Sequence, residues 1–590
     1  MNIKTPTLDR RMLLRGASGL AALGLAGCGF SGDSDSGSAS KTSGSAPGGG
    51  GPSGTITYSP AASMDSLDPH YVNNAMIVVP AGLLEGLVFA NDDSTDVIPA
   101  AAESWEMSED GKVYTFKMRE GAKWSNGDPV TAKDAEWSFK RLLSPTGAGS
   151  GGTKGASSYL PGLAIAGAED FLAGVTDDWE SVGVKALDDS QLEITLDSPN
   201  SDFLLLMSHY SMVLVHPPSV EADATGWMQP ENWVGNGAYV PTTWEPTTQL
   251  QMQANESYWD YENLGVANID VRFGIDQTAQ LASFSAGEID MMVGDTTIID
   301  QRSDLEKFRE AVYGYTSFYL QFMWGGHEAA RDRKVRQAIS RAIDREAIAG
   351  LSSVHEAGVS LVPGNVVEGW DKSMATPFDV DASRALVAEA GLDKMPKLRV
   401  QSAFETPILE MLASQWESAF GNEAVIDILE AGVHAESRFK PYPDEDTISF
   451  YYGSFSGVPT YGNWINNIFG PDHVLRFSLT TEDSLEHASI QADESLSGPE
   501  RAMAVNKFLR EHADPDAVKF ADLAVDARST LDDAERLKRF NEAASLRDEM
   551  AYTIPLIWGG RAFLVAERVE GFIPRPSPEI IYYKNLRVTD

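Results

Sequence analysis

Cysteine is almost absent from this sequence, since a single thiol, Cys28, stands among 590 residues. An internal disulfide is therefore excluded, and no Cys-x-x-Cys pair is available for zinc. The chain also lacks a Gly-x-x-x-x-Gly-Lys-Ser/Thr phosphate loop, a His-Glu-x-x-His motif and a Gly-x-Ser-x-Gly nucleophile elbow. No cofactor and no metal is expected, although a triad or metal site assembled from distant residues stays open.

Long apolar runs and excess positive charge are missing as well. After the first 27 residues, no apolar run approaches the ~20 residues that a membrane-spanning helix needs. The net charge of −40 at pH 7 disfavours nucleic acid and anionic lipid as partners. A hydrophobic content of 43% with 13 tryptophans predicts a soluble body of two or three lobes, which we expect to be monomeric.

The first 27 residues have the three parts of an export signal. Lys4, Arg10, Arg11 and Arg15 precede the apolar stretch from Leu20 to Ala26, which is too short to span a bilayer. The paired arginines resemble a twin-arginine export signal, in which the chain crosses the membrane already folded. An ordinary secretion signal with additional arginines is the alternative.

The segment Leu25-Ala26-Gly27-Cys28 resembles the bacterial lipobox, in which the cysteine is acylated and becomes the first residue after cleavage. The alternative is a chance buried cysteine. Residues 28–53 are mostly Gly, Ser, Ala, Asp and Pro, a composition typical of a flexible tether. The sequence therefore predicts an extracytoplasmic protein held at the outer face of the cell membrane by acylated Cys28, with lipid as its contact to the membrane.

The body shows mixed α/β patterning. Lys112–Met118 alternates like a half-buried strand, and Thr131 followed by Asp134 predicts a capped helix start. Val335, Ile339, Ala342 and Ile343 mark an amphipathic helix, with Asp344-Arg345 near its end. Residues 385–390 form another helix, closed by Gly391. Strands and helices alternate throughout, which favours α/β lobes.

Several short motifs resemble one known family in their identity and order. They are Ser66-Leu67-Asp68-Pro69-His70, Leu84-Glu85-Gly86-Leu87, Trp124-Ser125-Asn126-Gly127-Asp128-Pro129, Asn236-Gly237-Ala238-Tyr239, Tyr258-Trp259, Ser285-Ala286-Gly287-Glu288 and Val335-Arg336-Gln337-Ala338. This series, spread over nearly all of residues 55–588, is similar to family 5 of the extracytoplasmic solute-binding proteins, the peptide and nickel class that feeds ABC importers.

The resemblance implies an α/β fold of the two-lobed periplasmic-binding-protein type, class II, cluster C. Lobe I would comprise 54–90, 185–318 and 556–590, with an inserted domain over 91–184 and lobe II over 319–555. Two crossover strands near Tyr319–Phe322 and Ile554–Trp558 would form the hinge, around which the lobes close on a solute.

The resemblance also suggests where the solute binds. In oligopeptide-binding members an aspartate just after a Gly-Trp pair binds the peptide's α-ammonium, but here the alignment puts Ser454 at the tryptophan and Gly457 at the aspartate. Rings and amides around that position suit sugar faces or apolar side chains as well as peptides, or simply belong to the core. The expected ligand-binding residues are Asn73, Asn236, Gly237, Trp324, Tyr452, Phe455, Ser456, Gly457 and Trp558.

Three functions follow from this sequence. The first is a lipid-anchored binding protein that is not an enzyme and delivers an oligopeptide, or another solute such as an oligosaccharide, to ABC permease subunits. The second is a sensor or signal-peptide receptor on the same fold. Deletion of the gene would distinguish it from a transport protein, because signalling would fail while uptake continued. The third, a secreted hydrolase, would be recognised by turnover of a peptide or glycoside library.

Overall fold

The structure is a computed structural model. It describes residues 51–60, 64, 66–71, 82–144, 163–172, 174–294, 299–300, 302–323, 327–364, 367, 369–371, 373, 375–437, 446–457, 460–466, 470–493, 495–496, 498–575 and 581–589. The predicted export signal, Cys28 and most of the predicted tether therefore lie outside the described residues.

Strands and helices alternate along much of the described chain. The strands are β1 (Ser53–Ser59), β2 (Val88–Ala90), β3 (Val97–Pro99), β4 (Ala102–Met107), β5 (Val113–Met118), β6 (Val184–Ala186), β7 (Gln191–Thr195), β8 (Tyr239–Glu245), β9 (Gln249–Ala254), β10 (Val266–Arg272), β11 (Met291–Gly294), β12 (Arg309–Phe322), β13 (Glu356–Ala357), β14 (Lys397–Ser402), β15 (Ala424–Ile428), β16 (Thr447–Ser456), β17 (Thr553–Val565), β18 (Val569–Glu570) and β19 (Arg587–Val588). The helices are α1 (Ala132–Leu143), α2 (Ala168–Leu172), α3 (Phe203–Leu206), α4 (Pro217–Ala222), α5 (Gln277–Ser285), α6 (Arg333–Arg341), α7 (Arg345–Ala349), α8 (Val380–Glu389), α9 (Pro407–Phe420), α10 (Ala431–Ser437), α11 (Tyr461–Asn466), α12 (Pro471–Ser478), α13 (Thr481–Gln491), α14 (Gly498–His512), α15 (Pro515–Ser529) and α16 (Asp533–Met550). The predicted mixed α/β class is confirmed.

One 11-stranded sheet runs in the order β15-β14-β16-β12-β17-β11-β1-β10-β9-β8, with β13 paired to β17 off this path. At one end β1 pairs in parallel with β10 and β11, and β8, β9 and β10 form an antiparallel meander. At the other end β14 pairs in parallel with β15 and β16. We call β1 with β8–β11 the first-lobe sheet, and β14–β16 the second-lobe sheet.

Strands β12 and β17, with 14 and 13 residues, join the two parts. They are antiparallel neighbours from the Arg309↔Leu564 pair to the Gln321↔Thr553 pair. One end of β17 also pairs with β11, whereas the far end of β12 pairs with β16. β17 thus joins the pair to the first-lobe sheet and β12 joins it to the second-lobe sheet, and the two predicted crossover segments lie side by side at the Tyr319↔Pro555 pair.

The second-lobe sheet covers a core of its own. Val335 and Ile339 of α6 and Trp416 of α9 pack there with Phe450 of β16 and Leu556 of β17, and all five are at most 1% exposed. A larger core extends from Ile56 of β1 and Tyr58 through the small antiparallel sheet β4-β5-β7-β6 to Phe540 of α16. The alternating residues of β12 therefore contact different cores on their two faces.

Local sequence signals account for several helix ends. The Thr131 side chain caps α1 by accepting a hydrogen bond from the backbone N–H of Asp134. The Asp134 carboxylate in turn accepts from the backbone N–H of Thr131, so the predicted capping box is confirmed. Gly391, with φ +77°, follows α8 as predicted. Asp344, predicted near the end of this helix, follows α6, which ends at Arg341, and its side chain accepts a hydrogen bond from Ala347 N at the start of α7. Among the described helices, none is long and apolar enough to cross a membrane.

Candidate functional site

The face of β12 that carries odd-numbered residues is the centre of the candidate site. Tyr319 and Met323 belong to the larger core, whereas Leu320 and Phe322 belong to the core under the second-lobe sheet. This division follows from the alternation of side chains along a strand. The odd-numbered side chains of β12 thus lie on the face of the sheet opposite the second-lobe core, at the crossover between the two sheets.

Four side chains stand in register across four neighbouring strands on this face. Gln401 of β14 pairs with Tyr451 of β16, Tyr451 pairs with Gln321 of β12, and Gln321 pairs with Thr553 of β17. Their exposures are 5%, 8%, 0% and 7%, respectively. We call these four residues the amide row.

The amide row contains buried polar atoms with unmet hydrogen-bonding capacity. Within the described part of the chain, neither Oε1 nor Nε2 of Gln321 has a hydrogen-bond partner, and the same holds for Oε1 of Gln401. The hydroxyls of Ser317 and Ser449, on the same face of β12 and β16, are likewise unpartnered there. Because buried polar groups are nearly always satisfied in folded proteins, such a cluster points to a missing partner.

A second row lies four residues along β12. Ser317 pairs with Phe455 of β16 on one side and with Trp558 of β17 on the other. The indole N–H of Trp558 donates to the Ser360 carbonyl at 2.8 Å, and its ring meets Trp370 edge-on at 5.4 Å. We call Phe455, Ser317 and Trp558 the aromatic row. Two predicted contact residues are therefore brought to the same face.

Gly457 lies just beyond β16 in a crowded position. An added Cβ there would overlap Nδ2 of Asn463 and would lie 2.8 Å from the ring of Phe455. Phe455 itself packs edge-on against Trp464 at 5.1 Å, and Ser456 lies with its hydroxyl 2.7 Å from that of Thr316. A larger side chain at position 457 would therefore require this arrangement to change.

The Tyr452 side chain lies on the face of the sheet opposite the amide row. It is 2% exposed, belongs to the second-lobe core, and lies 6.3 Å from Phe318 and 6.0 Å from Phe404 between ring centroids. Burial raises the pKa of Tyr452, and its hydroxyl has no hydrogen-bond partner among the described residues. Its contact with solute stays a prediction, and in this structure its side chain lies on the face opposite Tyr451.

Asn236 and Gly237 lie in a separate network around Glu85. The carboxylate of Glu85 accepts hydrogen bonds from the Tyr258 hydroxyl at 2.5 Å and from the Trp259 indole at 3.0 Å. Both polar atoms of the Asn236 side chain bond the backbone of Glu85. At Gly237 an added Cβ would overlap the backbone of Gly82 and Leu83, so glycine permits this close approach. Three of the family-like motifs thus meet at one buried acid.

A buried ion pair was not anticipated from the sequence. Asp548 at the end of α16 accepts from the Ser360 hydroxyl at 2.5 Å, and Arg547 lies 3.6 Å from the same carboxylate. Arg547 also donates to the Trp464 carbonyl at 2.8 Å. Burial raises the pKa of Asp548 and lowers that of Arg547. Ser360 links this ion pair to Trp558, because its hydroxyl donates to Asp548 and its carbonyl accepts from the Trp558 indole. An Arg-Asp dipeptide in the sequence does not by itself predict a buried ion pair.

A second buried acid, Asp202, contacts residues far along the chain. It immediately precedes α3, and its carboxylate bonds Thr460 and packs against Gly462 of α11. Burial raises the pKa of Asp202 to about 6, although Arg536 and Arg528 oppose that shift. Asp202 is 7% exposed, so ionisation of its carboxylate is costly.

Two predicted contact residues, Asn73 and Trp324, and the predicted lipidation residue, Cys28, lie outside the described residues. Within the described part of the chain, no group of three or more His, Cys, Asp or Glu side chains is arranged to hold a metal ion.

The fold and the candidate site define a two-lobed solute-binding protein. The chain belongs to the bacterial extracellular solute-binding proteins, family 5, whose model matches residues 96–470. It is 28% identical over 556 residues to the periplasmic oligopeptide-binding protein OppA of Salmonella typhimurium, covering 90% of this chain and 92% of OppA. It is 25% identical over 510 residues to the dipeptide-binding protein DppE of Bacillus subtilis, covering 84% of each.

Solved structures show the same fold. The murein tripeptide-binding protein MppA of Escherichia coli matches with a TM-score of 0.68 at 22% identity, covering 91% of this chain and 98% of MppA. OppA of Haemophilus influenzae in complex with RPPGFSPFR matches with a TM-score of 0.68 at 21% identity, covering 91% of this chain and 99% of OppA.

Proposed function

We propose that this protein captures an oligopeptide between its lobes and delivers it to the permease of an ABC importer. The observation that carries the proposal is the similarity over 90% of the chain to OppA of Salmonella typhimurium, an oligopeptide-binding protein. The odd-numbered face of β12, with aromatic and amide rows at the crossover, offers both apolar and hydrogen-bonding surface to such a solute.

The proposed mechanism is capture by closure. Solute that contacts both lobes binds the closed form more tightly than the open form and so shifts the population toward it. β12 and β17 are the elements that would flex, because this antiparallel pair connects the first-lobe sheet, through β11, to the second-lobe sheet, through β16. We keep as proposals the lobe boundaries, with lobe I over 54–90, 185–318 and 556–590, an inserted domain over 91–184 and lobe II over 319–555.

We further propose that Cys28 is acylated and anchors the protein to the outer face of the cell membrane. More than one acyl chain is needed for a stable anchor, since each buried methylene contributes ~0.8 kcal/mol and a single chain binds marginally. The tether of about 25 residues would have a reach of ~25 to 30 Å. The body would thus stay beside a permease in the same membrane.

Native mass spectrometry of the purified protein with a synthetic tetrapeptide pool tests the peptide assignment. We expect stoichiometric complexes with a subset of the pool and no binding to a pool of oligosaccharides of similar mass. Binding to the oligosaccharides alone would overturn the peptide assignment and leave the solute-binding class in place.

A further inference from the structure

The amide row contains three buried side-chain atoms that have no hydrogen-bond partner among the described residues, Oε1 and Nε2 of Gln321 and Oε1 of Gln401. We propose that Gln321 and Gln401 bind uncharged peptide groups of the solute, so that the row recognises the peptide backbone rather than a charged end. This inference rests on the proposed function and adds to it the chemical group recognised and the residues that recognise it.

The first argument is the chemistry of the orphan atoms. The Gln321 side chain presents one donor nitrogen and one acceptor oxygen, both buried and both without a partner among the described residues. A peptide group presents the complementary acceptor and donor. Gln401 adds a further acceptor at Oε1. An amide pair therefore satisfies both atoms of Gln321 at once, which a purely donating ammonium group does not.

The second argument is charge. None of the four side chains in the row carries a formal charge, and burying an unpaired ion beside them is costly. His434 is the titratable group that stacks on Tyr451, with ring centroids 4.1 Å apart, and its Nε2 lies 3.2 Å from the Gln401 carbonyl. Since a carbonyl oxygen only accepts hydrogen bonds, Nε2 of His434 is the donor in this contact. A neutral solute group therefore fits the row better than an ionised one.

The third argument is spacing. Gln401 and Gln321 lie on β14 and β12, with β16 between them, so they are separated by two strand spacings, or ~10 Å. An extended peptide advances ~3.3 to 3.6 Å per residue. A solute that reaches both amides therefore needs about three residues. The ring of Tyr451 lies between them and offers an apolar surface to the intervening residue.

Ordered water is the competing occupant, because it also satisfies buried amides. The variant Gln321→Met keeps the side-chain volume and removes both orphan atoms. Because it removes unsatisfied polar atoms, it should leave the melting temperature of the solute-free protein unchanged or raise it. If peptide binds the row, this variant loses affinity for peptide, whereas if only water binds there, its affinity for peptide stays that of wild type.

The experiment measures melting temperature and Kd for wild type, Gln321→Met and Gln401→Met, with the tightest-binding member of the tetrapeptide pool as the probe. We expect each variant to bind about tenfold more weakly, as for loss of a buried hydrogen bond. Acetylation of the probe's amino terminus and amidation of its carboxyl terminus should change the wild-type Kd by less than about threefold.

Gln280→Met is the matched control. Gln280 is also 0% exposed, but its Nε2 donates to the Ser59 hydroxyl at 2.8 Å and to the Pro60 carbonyl at 3.1 Å. This variant should therefore melt at lower temperature and bind the probe as wild type does.

Wild-type affinity in both Gln321→Met and Gln401→Met would overturn the inference while the proposed function stands. A hundredfold loss on blocking the probe's ends would also overturn it. Absence of any peptide binding by wild type would overturn the proposed function itself.

Discussion

The Asn236 side chain and the Glu85 backbone form a closed pair of hydrogen bonds. The N–H of Glu85 donates to Oδ1 of Asn236 at 2.9 Å, and Nδ2 of Asn236 donates to the Glu85 carbonyl at 3.1 Å. Asn236 is 4% exposed and Glu85 is 2% exposed. Asn236 therefore replaces the partner that a neighbouring strand would supply, and it fixes the backbone of a buried acid.

Asn236→Ala should destabilise the protein by about 3 kcal/mol, because two buried backbone groups lose their partners. Chemical denaturation measures the change, and the exposed Asn263→Ala, which loses a contact to Asp260 at 2.6 Å, should stay within about 0.5 kcal/mol of wild type. Unchanged stability with a large loss of peptide affinity would instead assign Asn236 to the solute, as the sequence predicts.

Asp202 gives a pH-dependent prediction. Its pKa is about 6 in the folded protein, raised chiefly by burial from an ordinary value of 3.8. The folded state therefore binds this proton more tightly than the unfolded state. The resulting stabilisation is complete below about pH 3.8 and is lost as the pH rises through about 6.

With both proteins saturated with peptide, the form in which we propose that the contact to Gly462 is made, Asp202→Asn should accordingly be more stable than wild type at pH 7.5 by about 2 to 3 kcal/mol. The difference should shrink toward zero at pH 4. Asp223→Asn is the control of opposite sign, because hydrogen bonds from the backbone of Gly226 and Thr225 hold the pKa of Asp223 below its ordinary value. That variant should lose stability at neutral pH. A constant difference between Asp202→Asn and wild type from pH 4 to pH 7.5 would contradict the assignment.

Much of the fold could be predicted because its signals are local. Thr131 and Asp134 are three residues apart, and the capping box they form needs no other part of the chain. The crossover strands could be placed because motifs similar to a known family flank them. The amide row could not be predicted in this way, because Gln321, Gln401 and Thr553 come together through strand register across a large separation in sequence.

The aromatic predictions show where sequence reasoning stops. Tyr451 and Tyr452 are adjacent and chemically alike, yet the first lies in the larger core and the second in the core under the second-lobe sheet. Their assignment to faces depends on the register of β16 with β12 and β14, and a shift of one residue would exchange them. Composition near the site therefore indicated the right strand without fixing which side chains face the solute.

Cys28→Ala should release the protein from the membrane fraction. The substitution removes the thiol that acylation requires, and the remaining chain has no described helix that could hold it in a bilayer. Fractionation followed by immunoblotting measures the distribution, and peptide binding by the released protein serves as the control for folding. A variant that still sediments with membranes after a high-salt wash would contradict the proposed lipid anchor.

Gly462→Ala should hinder closure of the lobes. An added Cβ at Gly462 would overlap Oδ2 of Asp202, and we propose that this contact forms between the lobes as they close. Small-angle scattering should show a smaller radius of gyration when wild type is saturated with peptide and a reduced change for Gly462→Ala. Combining Gly462→Ala with Asp202→Gly removes the obstructing carboxylate and should restore compaction. Gly350→Ala is the matched control, since nothing lies closer than 3.4 Å to its added Cβ. Full compaction of Gly462→Ala, or failure of the double variant to recover while it remains folded, would show that the Asp202 contact does not control closure.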